Sequence, residues 1–569
     1  MKKKIMSMLL VCVMAIGLLS GCGSQQAETS EQPVASEEEA TEEAVETEEV
    51  YQLFPVNSNP LSDVRVRQAI AYAIDMEEIA ETFFKGQVTP ANSMVPANGV
   101  EELNNYSYDP EKAMELLEDA GWDENYVLKV VYTYTDQETV DFMAVIQSYL
   151  AAVGIQMEAS LIEGDVNTQL WTPPADMVNG PSAVDWDIYY GAVAAPNRLT
   201  FYDGYKSSSM SSHTPTSEDL AAVADKLQST ANPEEQAAYL EEIQILCNEQ
   251  LPVLPLYHMD VYSIESDAVN RNGAPYGNEQ YKYDWQIEKW DIEPNEDGKK
   301  VLRTNTGPIE FFYDVYTTNN GNAANKVLFD TLIVANSDLT EFAPQAAESF
   351  EISEDDLSVS FVLKDGLKWH DGSDVTIDDV KFTWELACKV STISSIYGAV
   401  IPNLEGFEAF VNGETEELAG IVVEGNKITF KFASIAPTMM FAFSQLPILP
   451  KAYLEDADPT VIQQNSFWQS PIGSGPFKVK EVSMNNYCVL EAFDEYHKGR
   501  PVIDEIYMYP STETDASLVK NVSAGLYDYA WSKSLADVQA CSEVEGYTTS
   551  AYPMLYTRQL IINKFEHAE

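Results

Sequence analysis

The sequence predicts a mixed α/β protein, with more parallel sheet in its first half and more antiparallel sheet in its second. In the first half, helical and strand patterns alternate along the chain, which favours parallel pairing. In the second half, short strands of alternating polarity are joined by turns, as in hairpins. A chain of 569 residues with 45% hydrophobic content can bury more than one core.

The elements of the first half are marked by their end signals. Ser62 or Asp63 can cap a helix whose apolar residues recur at spacings of three and four. Asp109 can cap a second helix, which ends at Gly121. A strand, a long amphipathic helix and another strand follow over residues 127–163. This order predicts an α/β lobe.

The elements of the second half are shorter. Prolines divide the apolar stretch 251–264, which predicts several short strands, and the polar segment Glu293–Lys300 predicts a linker. A hairpin is predicted over residues 350–372 and another over 419–432, with a helix between them. From residue 300 on, these patterns predict an α+β lobe with much antiparallel sheet.

The first 22 residues resemble a lipoprotein signal peptide. Three lysines precede the apolar stretch Ile5–Leu19, whose 15 residues are too few to span a membrane comfortably. The stretch ends in Leu-Ser-Gly-Cys, which is similar to the bacterial lipobox. In that motif the cysteine, here Cys22, becomes the lipid-modified first residue. We therefore expect the protein to be lipid-anchored at the extracytoplasmic face of the cell membrane.

Residues 23–50 are predicted to be an acidic disordered tether. They hold ten glutamates, no lysine or arginine and no aromatic residue. Such a segment cannot bury a core, and its like charges repel one another. It would separate the globular part from the membrane.

Composition excludes several classes of function. The formal net charge of −58, from 33 basic and 91 acidic residues, argues against a nucleic-acid partner. The five histidines are scattered and form no metal-ligand pattern, so neither a metal nor another cofactor is predicted. Four isolated cysteines leave both disulfides and buried free thiols open: Cys247, Cys388, Cys488 and Cys541.

Long motifs resemble the extracytoplasmic solute-binding proteins of the peptide, dipeptide and nickel ABC transporters, known as solute-binding family 5. Ala343–Glu385 is similar to a signature hairpin and helix of this family, and Pro471–Lys480 continues the match. Pro60–Ala91 and Tyr108–Trp122 are equally typical of it. The resemblance implies a two-lobed fold of the periplasmic-binding-protein type II class, with a solute cleft between the lobes.

The two halves stand in reversed order relative to the family. Residues 51–292 resemble its second half and residues 301–569 its first half. Tyr51–Asn57 and Tyr556–Asn563 both fit the hinge strand that joins the halves. The resemblance therefore implies a circularly permuted fold that carries this strand twice. A fusion of tandem genes, or a sequence assembled wrongly from paralogues, would look the same.

The predicted organisation has five parts, and they are a signal peptide (1–22), a tether (23–50), an α/β lobe (51–240), crossover strands and a linker (241–299) and an α+β lobe (300–569).

The resemblance implies a receptor that binds a peptide-like or other small organic solute and delivers it to the permease and ATPase subunits of an ABC importer. Two alternatives stay open: an oligosaccharide receptor, and a non-transporting fusion relic that dimerises by swapping the duplicated strand. An enzyme is not predicted, because the sequence shows no nucleophile, metal cluster or oriented acid–base pair.

Candidate ligand-binding residues come from the resemblance alone. They lie in two segments and at one further aromatic position, and they are Gly191, Val193, Ala195, Tyr316, Thr317, Asn319, Asn320 and Tyr397. Peptide binders of the family often carry an aspartate near the first group for the ligand's α-amino group, where this chain has Ala194 and Ala195. A buried ammonium needs a charge partner, so a blocked peptide, an oligosaccharide or another organic solute becomes more credible.

Two motifs imitate catalytic sites. His370 and Asp371 are adjacent, but neighbours at a strand end point to opposite faces. The Gly-Ser-Gly-Pro-Phe segment at 473–477 lacks the Lys-Ser/Thr that follows a phosphate loop. Both are predicted to be structural.

Overall fold

A computed structural model describes residues 58–96, 99–195, 197–208, 213–274, 286–306, 315–316, 327–336, 341–483, 486–510 and 517–567. The helices within these residues are α1 Val64–Ala73, α2 Met76–Thr82, α3 Pro110–Ala120, α4 Gln137–Ala152, α5 Val166–Trp171, α6 Glu218–Leu227, α7 Pro233–Gln250, α8 Ile377–Ala387, α9 Ser395–Gly398, α10 Phe407–Val411, α11 Met439–Gln445, α12 Lys451–Leu454, α13 Leu518–Ser523 and α14 Leu535–Ser542.

The strands are β1 Val88–Pro90, β2 Val127–Tyr132, β3 Gln156–Leu161, β4 Ile188–Ala194, β5 Val253–Ser266, β6 Val269–Asn270, β7 Asp291–Ile292, β8 Val301–Thr306, β9 Ile333–Ala335, β10 Phe342–Pro344, β11 Ala347–Ile352, β12 Ser358–Leu363, β13 Ile421–Glu424, β14 Lys427–Lys431, β15 Phe477–Ser483, β16 Tyr487–Ala492, β17 Glu505–Pro510, β18 Tyr529–Ser532 and β19 Tyr547–Ile562.

One mixed sheet runs through both halves of the chain. Within the described residues it holds eleven strands, ten of them in the order β15-β16-β17-β8-β18-β5-β19-β4-β2-β3, with β1 paired to β5. The β2–β3, β2–β4 and β8–β17 pairs are parallel, and β15, β16 and β17 pair antiparallel. The predicted mixed α/β class is confirmed. Parallel pairs occur in the first half, as predicted, and the second half combines antiparallel pairs with the parallel pair β8–β17.

The centre of the sheet is formed by β5 and β19, which pair antiparallel almost throughout their length. The prediction of several short strands over 251–264 was wrong, because β5 is one continuous strand of 14 residues. Its Pro255 lies opposite Gln559, where the register shifts between Arg558 and Gln559. Proline is tolerated inside a strand at such an irregularity, since the ladder hydrogen bond is already interrupted there.

The helices of the first half follow their sequence signals. The Asp63 carboxylate caps α1 by accepting the Arg65 N–H, and the Asp109 carboxylate caps α3 by accepting the Lys112 N–H. Gly121 ends α3 with a φ of 71°, a left-handed conformation that glycine adopts without strain. The apolar faces of α1, α3 and α4 share one buried cluster with β2 and with parts of β4, β5 and β19.

The second half adds a separate antiparallel sheet in the order β11-β12-β14-β13. Its core is aromatic: the Trp384 ring of α8 packs 4.4 Å from the Phe443 ring and 5.1 Å from the Phe430 ring, measured between centroids. Phe361 of β12 lies 4.7 Å from Phe443. These rings are fully buried. The predicted hairpins and the helix between them are therefore present.

The first and last described segments of the chain meet. The Asn59 N–H donates to the Lys564 carbonyl at 2.9 Å, and Ser58 forms an antiparallel bridge with Phe565. The buried Asp187 carboxylate binds both segments, since it accepts hydrogen bonds from the Asn59 side chain and from His567 Nε2. Residues at opposite ends of the sequence thus complete one region of the fold.

Of the two possibilities for the four cysteines, disulfides or buried free thiols, the structure shows the second, because all four are free and buried. Burial raises the pKa of Cys388 and of Cys488 to about 12, so these thiols stay protonated and unreactive. The lobe boundary predicted at residue 240 falls inside α7, and the division into lobes stays a prediction. Within the described ranges, no helix has the length and apolar character needed to cross a bilayer.

Candidate functional site

Three of the predicted ligand-binding residues lie on or beside β4. Gly191 pairs with Gln559 and Val193 pairs with Thr557 in the antiparallel ladder with β19. Ala195 follows the strand, is buried, and donates its N–H to the Leu555 carbonyl at 3.2 Å. The structure therefore brings these three positions together along the strand pair β4–β19.

Gly191 is required by a close approach of the Tyr189 ring. A Cβ atom at residue 191 would lie 2.6 Å from Cε1 and 2.9 Å from Cζ of Tyr189. The Tyr189 hydroxyl lies 3.3 Å from the Thr133 hydroxyl, which holds the ring in place. The strand can carry this ring only because residue 191 has no side chain.

Gly191→Ala is expected to push the Tyr189 ring aside and to lower the free energy of unfolding by about 1–3 kcal/mol, as overpacking does. Urea denaturation of the wild type and variant measures this change. In the matched double variant with Tyr189→Ala, the alanine at 191 should cost much less, because the ring is gone. Equal costs in the two backgrounds would contradict the steric explanation.

Tyr316 and Tyr397 are both buried in the large hydrophobic cluster that includes residues of both halves of the chain. The Tyr316 hydroxyl donates to the Thr383 carbonyl at 2.9 Å, and the Tyr397 hydroxyl donates to the Gln445 carbonyl at 3.2 Å. A turn at Ser394 joins them, because its N–H donates to the Tyr316 carbonyl and its carbonyl accepts the Tyr397 N–H. In this arrangement both hydroxyls bind the main chain, and a contact with ligand stays a prediction.

The remaining predicted residues of that segment, Thr317, Asn319 and Asn320, lie outside the described residues, as does the predicted lipidation site Cys22. The five predicted residues that the structure describes fall into two groups, one at β4–β19 and one at the Ser394 turn.

A residue that the sequence did not single out lies at the first group. Arg558 of β19 pairs with Ala192 of β4 on one side and with Tyr257 of β5 on the other. Its guanidinium lies 3.7 Å from the centroid of the Tyr134 ring and 5.4 Å from that of Tyr556. Nε and Nη1 are buried, and neither has a hydrogen-bond partner among the described residues.

Glu138 interacts electrostatically with Arg558 but forms no ion pair with it. Burial, and next the neighbouring Asp136, raise the pKa of Glu138, and the opposing effect of Arg558 is smaller than either. Within the described part of the chain, no carboxylate oxygen lies within 4.0 Å of the Arg558 guanidinium. The sequence signal that could have found Arg558 is a lone cation inside the apolar strand Tyr556–Asn563.

On the opposite face of the sheet, the neighbouring strand β5 carries a buried histidine. Nδ1 of His258 lies 3.0 Å from the Thr557 hydroxyl, which also donates to the Met94 carbonyl at 2.7 Å. Burial lowers the pKa of His258 to about 4, so the ring is neutral at pH 7. This neutral imidazole belongs to the packing between β5 and β19.

His258 is expected to make stability depend on pH between about 6.5 and about 4. The unfolded ring binds a proton below pH 6.5 and the folded ring only below about 4, so the advantage of the neutral ring is present at pH 7 and is lost as the pH falls. The loss approaches about 3 kcal/mol for this residue. Urea denaturation at several pH values, for the wild type and His258→Gln, measures it. The two curves should converge as the pH approaches 4, and a constant separation would contradict the assignment.

The two motifs that imitate catalytic sites form a single structural contact. Nδ1 of His370 accepts the Gly473 N–H at 3.1 Å, and Nε2 lies 3.0 Å from the Gly475 carbonyl oxygen. Burial lowers the pKa of His370 to about 4. Both ring nitrogens are occupied by the glycine loop, so His370 fixes the loop, as the structural interpretation predicts. Among the residues that the structure describes, no cluster of side chains could hold a metal ion.

Comparison with known proteins identifies the family. The model of the bacterial extracellular solute-binding proteins, family 5, matches this chain over residues 22–242 and 341–564. Among curated proteins, an ABC transporter peptide-binding protein of Brucella ovis is 30% identical over 179 residues, which cover 31% of each chain. The oligopeptide-binding protein AppA of Bacillus subtilis is 27% identical over 215 residues, which cover 38% of this chain and 37% of AppA.

The solved structure of Bacillus subtilis AppA with a nonapeptide aligns at 25% identity and a TM-score of 0.36, over 43% of this chain and 47% of AppA. This chain therefore spans between about a third and a half of the relatives that it matches. The family match is much wider, since its two segments include most of the residues from Cys22 to Lys564. On this match, the chain belongs to family 5 of the bacterial extracellular solute-binding proteins.

Proposed function

We propose that this protein is a membrane-anchored extracytoplasmic receptor, which captures a peptide-like or other small organic solute and delivers it to an ABC importer. The observation that carries the proposal is the family match over residues 22–242 and 341–564. Relatives whose names describe peptide-binding proteins, in Brucella ovis and Bacillus subtilis, support a solute of this kind.

The proposed mechanism is closure of two lobes on the solute. A solute that contacts both lobes stabilises the closed state by its higher affinity for that state. The permease would then recognise the closed form, and the ATPase would drive release. No bond is made or broken in the solute, so the protein needs no catalytic residue. Gly191, Val193 and Ala195 would line the cleft from β4, and Tyr316 and Tyr397 from the second half.

The proposed membrane anchor is a lipid on Cys22, followed by the acidic tether 23–50. Cell fractionation tests it: the wild type should remain with the membranes, and Cys22→Ala should lose lipid modification while its membrane fraction falls. Equal lipid labelling of the two proteins would contradict this anchor.

We also propose that the fold is circularly permuted. The meeting of Asn59 with Lys564, and of Ser58 with Phe565, supports this, because a permuted chain joins such segments where the parent chain is continuous. The position between β4 and β5 is filled by β19, which contains all but the last residue of the hinge-strand copy Tyr556–Asn563. A monomer can therefore be completed without a strand from a second chain.

Native mass spectrometry of the full-length chain, purified without refolding, tests the function first. A monomer that carries a co-purified small solute is the expected result. A mixture of empty dimers and larger species would favour the alternative of a non-transporting, strand-swapped relic. A bound oligosaccharide would instead support the alternative of an oligosaccharide receptor.

A further inference from the structure

Arg558 is a cation that forms no ion pair with any of the described residues, in a protein of strongly negative net charge. The chain carries 91 acidic and 33 basic residues, so most arginines can find a carboxylate partner. Arg65, Arg271, Arg303 and Arg500 each form an ion pair of this kind. Arg558 forms none with any described residue, although it is only partly exposed. The absence of a partner in such a chain calls for a physical explanation.

Tyrosine rings explain the position of the guanidinium but not its hydrogen bonding. The rings of Tyr134, Tyr190 and Tyr556 surround it at 3.7, 5.6 and 5.4 Å from their centroids. Such contacts attract the cation, yet a ring face accepts no strong N–H bond. Two buried N–H-bearing nitrogens therefore remain without an acceptor among the described residues, and this costs free energy unless a bound group supplies one.

The strand opposite Arg558 carries small, partly exposed side chains, which would allow such a group to approach. In the ladder between β4 and β19, Ala192 pairs with Arg558 and Ala194 pairs with Tyr556. Every second residue of a strand points to the same face, so these four side chains lie on one face of the sheet. Both alanines are partly exposed and carry only a methyl group. Peptide binders of the family often have an aspartate near here for the ligand's ammonium group. In this chain, the nearby charge is positive instead.

We propose that the Arg558 guanidinium binds a carboxylate of the solute, at a subsite bordered by Tyr134, Tyr556 and the small side chains of β4. A guanidinium and a carboxylate form two parallel N–H···O bonds, and the low exposure of the site strengthens them. This inference rests on the proposed function, because it names the charge of the solute that the receptor takes. It also gives a reason for a buried cation in a chain whose net charge of −58 repels anions elsewhere.

The test uses three N-acetylated tripeptides and isothermal titration calorimetry on the full-length chain. The first peptide is trialanine with a free C-terminal carboxylate. The second is Ala-Glu-Ala with an amidated C-terminus, and the third is trialanine with an amidated C-terminus, which has no carboxylate. The first two distinguish a terminal from a side-chain carboxylate. The same protein is examined by native mass spectrometry for its co-purified solute.

The expected result is that at least one carboxylate peptide binds and that Arg558→Met weakens its binding by about 10- to 100-fold, the loss of a charge-assisted pair. Arg558→Lys keeps the positive charge but cannot form two parallel hydrogen bonds. Its affinity for the carboxylate peptide should therefore lie between those of the wild type and Arg558→Met. The neutral peptide should bind weakly and equally to all three proteins. Arg65→Met is the matched control, because Arg65 is an exposed, ion-paired arginine of α1. The affinity of this variant for the carboxylate peptides should equal that of the wild type.

The outcomes separate this inference from the proposed function. If carboxylate peptides bind to Arg558→Met as they bind to the wild type, or if the co-purified solute is uncharged, the inference is overturned and the receptor function stands. If the wild type is empty and binds no peptide, both are overturned. Thermal denaturation without ligand gives a further readout. Removal of an unpaired cation should leave the Tm unchanged or raised, whereas a marked fall would assign Arg558 a structural role.

Discussion

Gly473→Ala is expected to destabilise the protein by more than about 4 kcal/mol, a very large effect for a single methyl group. A Cβ atom at residue 473 would lie 1.8 Å from the Leu328 carbonyl oxygen and 3.2 Å from Cε1 of His370. The first of these atoms belongs to the main chain, so no rotamer change relieves the clash. The loop must move, and the hydrogen bonds between Gly473 and His370 break with it.

Urea denaturation followed by circular dichroism measures this effect. Gly398→Ala is the matched control, because its added Cβ meets only Cγ2 of Ile393 at 3.6 Å, an ordinary contact, at the end of α9. Its stability should stay within about 1 kcal/mol of the wild type. A Gly473→Ala protein with the midpoint of the wild type would show that the loop 473–477 is free to move.

Asp187→Asn is expected to lower the free energy of unfolding by about 3–5 kcal/mol, because it removes a buried charge that several donors share. The carboxylate accepts the Tyr126 hydroxyl and the Lys129 N–H, both at 2.8 Å, and Nε2 of His567 at 3.0 Å. The amide group of asparagine would point at least one N–H toward these donors. Asp187 itself is 1% exposed, so water cannot compensate.

Asp185→Asn is the matched control for this variant. Its side chain is 81% exposed and forms an ion pair with Lys129, a contact whose loss costs at most about 1 kcal/mol. Amide hydrogen exchange adds a local measurement, because Asp187→Asn should also speed exchange of the Asn59 N–H, which donates to the Lys564 carbonyl. Unchanged exchange would show that these two segments meet without help from Asp187.

The sequence predicted the local elements well, because their signals are short-range. Asp109 and Gly121 bound α3 as expected, and the hairpin pattern over residues 350–372 gave β11 and β12. The continuous strand β5 was missed, since the tolerance of Pro255 depends on a register shift against a strand some 300 residues away. The order of strands in the large sheet likewise depends on pairings between segments far apart in the sequence, which local sequence patterns do not reveal.

The candidate site was predictable only in part. The small residues of β4 could be placed from the resemblance, and the ladder with β19 brings Gly191 and Val193 together. The sequence could not show that Arg558 has no carboxylate partner among the described residues, because this depends on its three-dimensional neighbours. The burial of Tyr316 and Tyr397 also depends on packing among α8, α9 and α11, which the sequence patterns do not specify.

The pairing of β5 with β19 has a consequence for the kinetics of folding. His258 and Thr557 are in contact although 299 residues separate them, so the centre of the sheet has a very high contact order. Proteins with such topologies fold slowly, because distant segments must come together, at a cost in chain entropy, before their contacts can offset that cost. Until β19 has been synthesised, β4 and β5 present open edges that can pair with other chains. A nascent or truncated chain that ends before Tyr547 should therefore depend on chaperones to remain soluble.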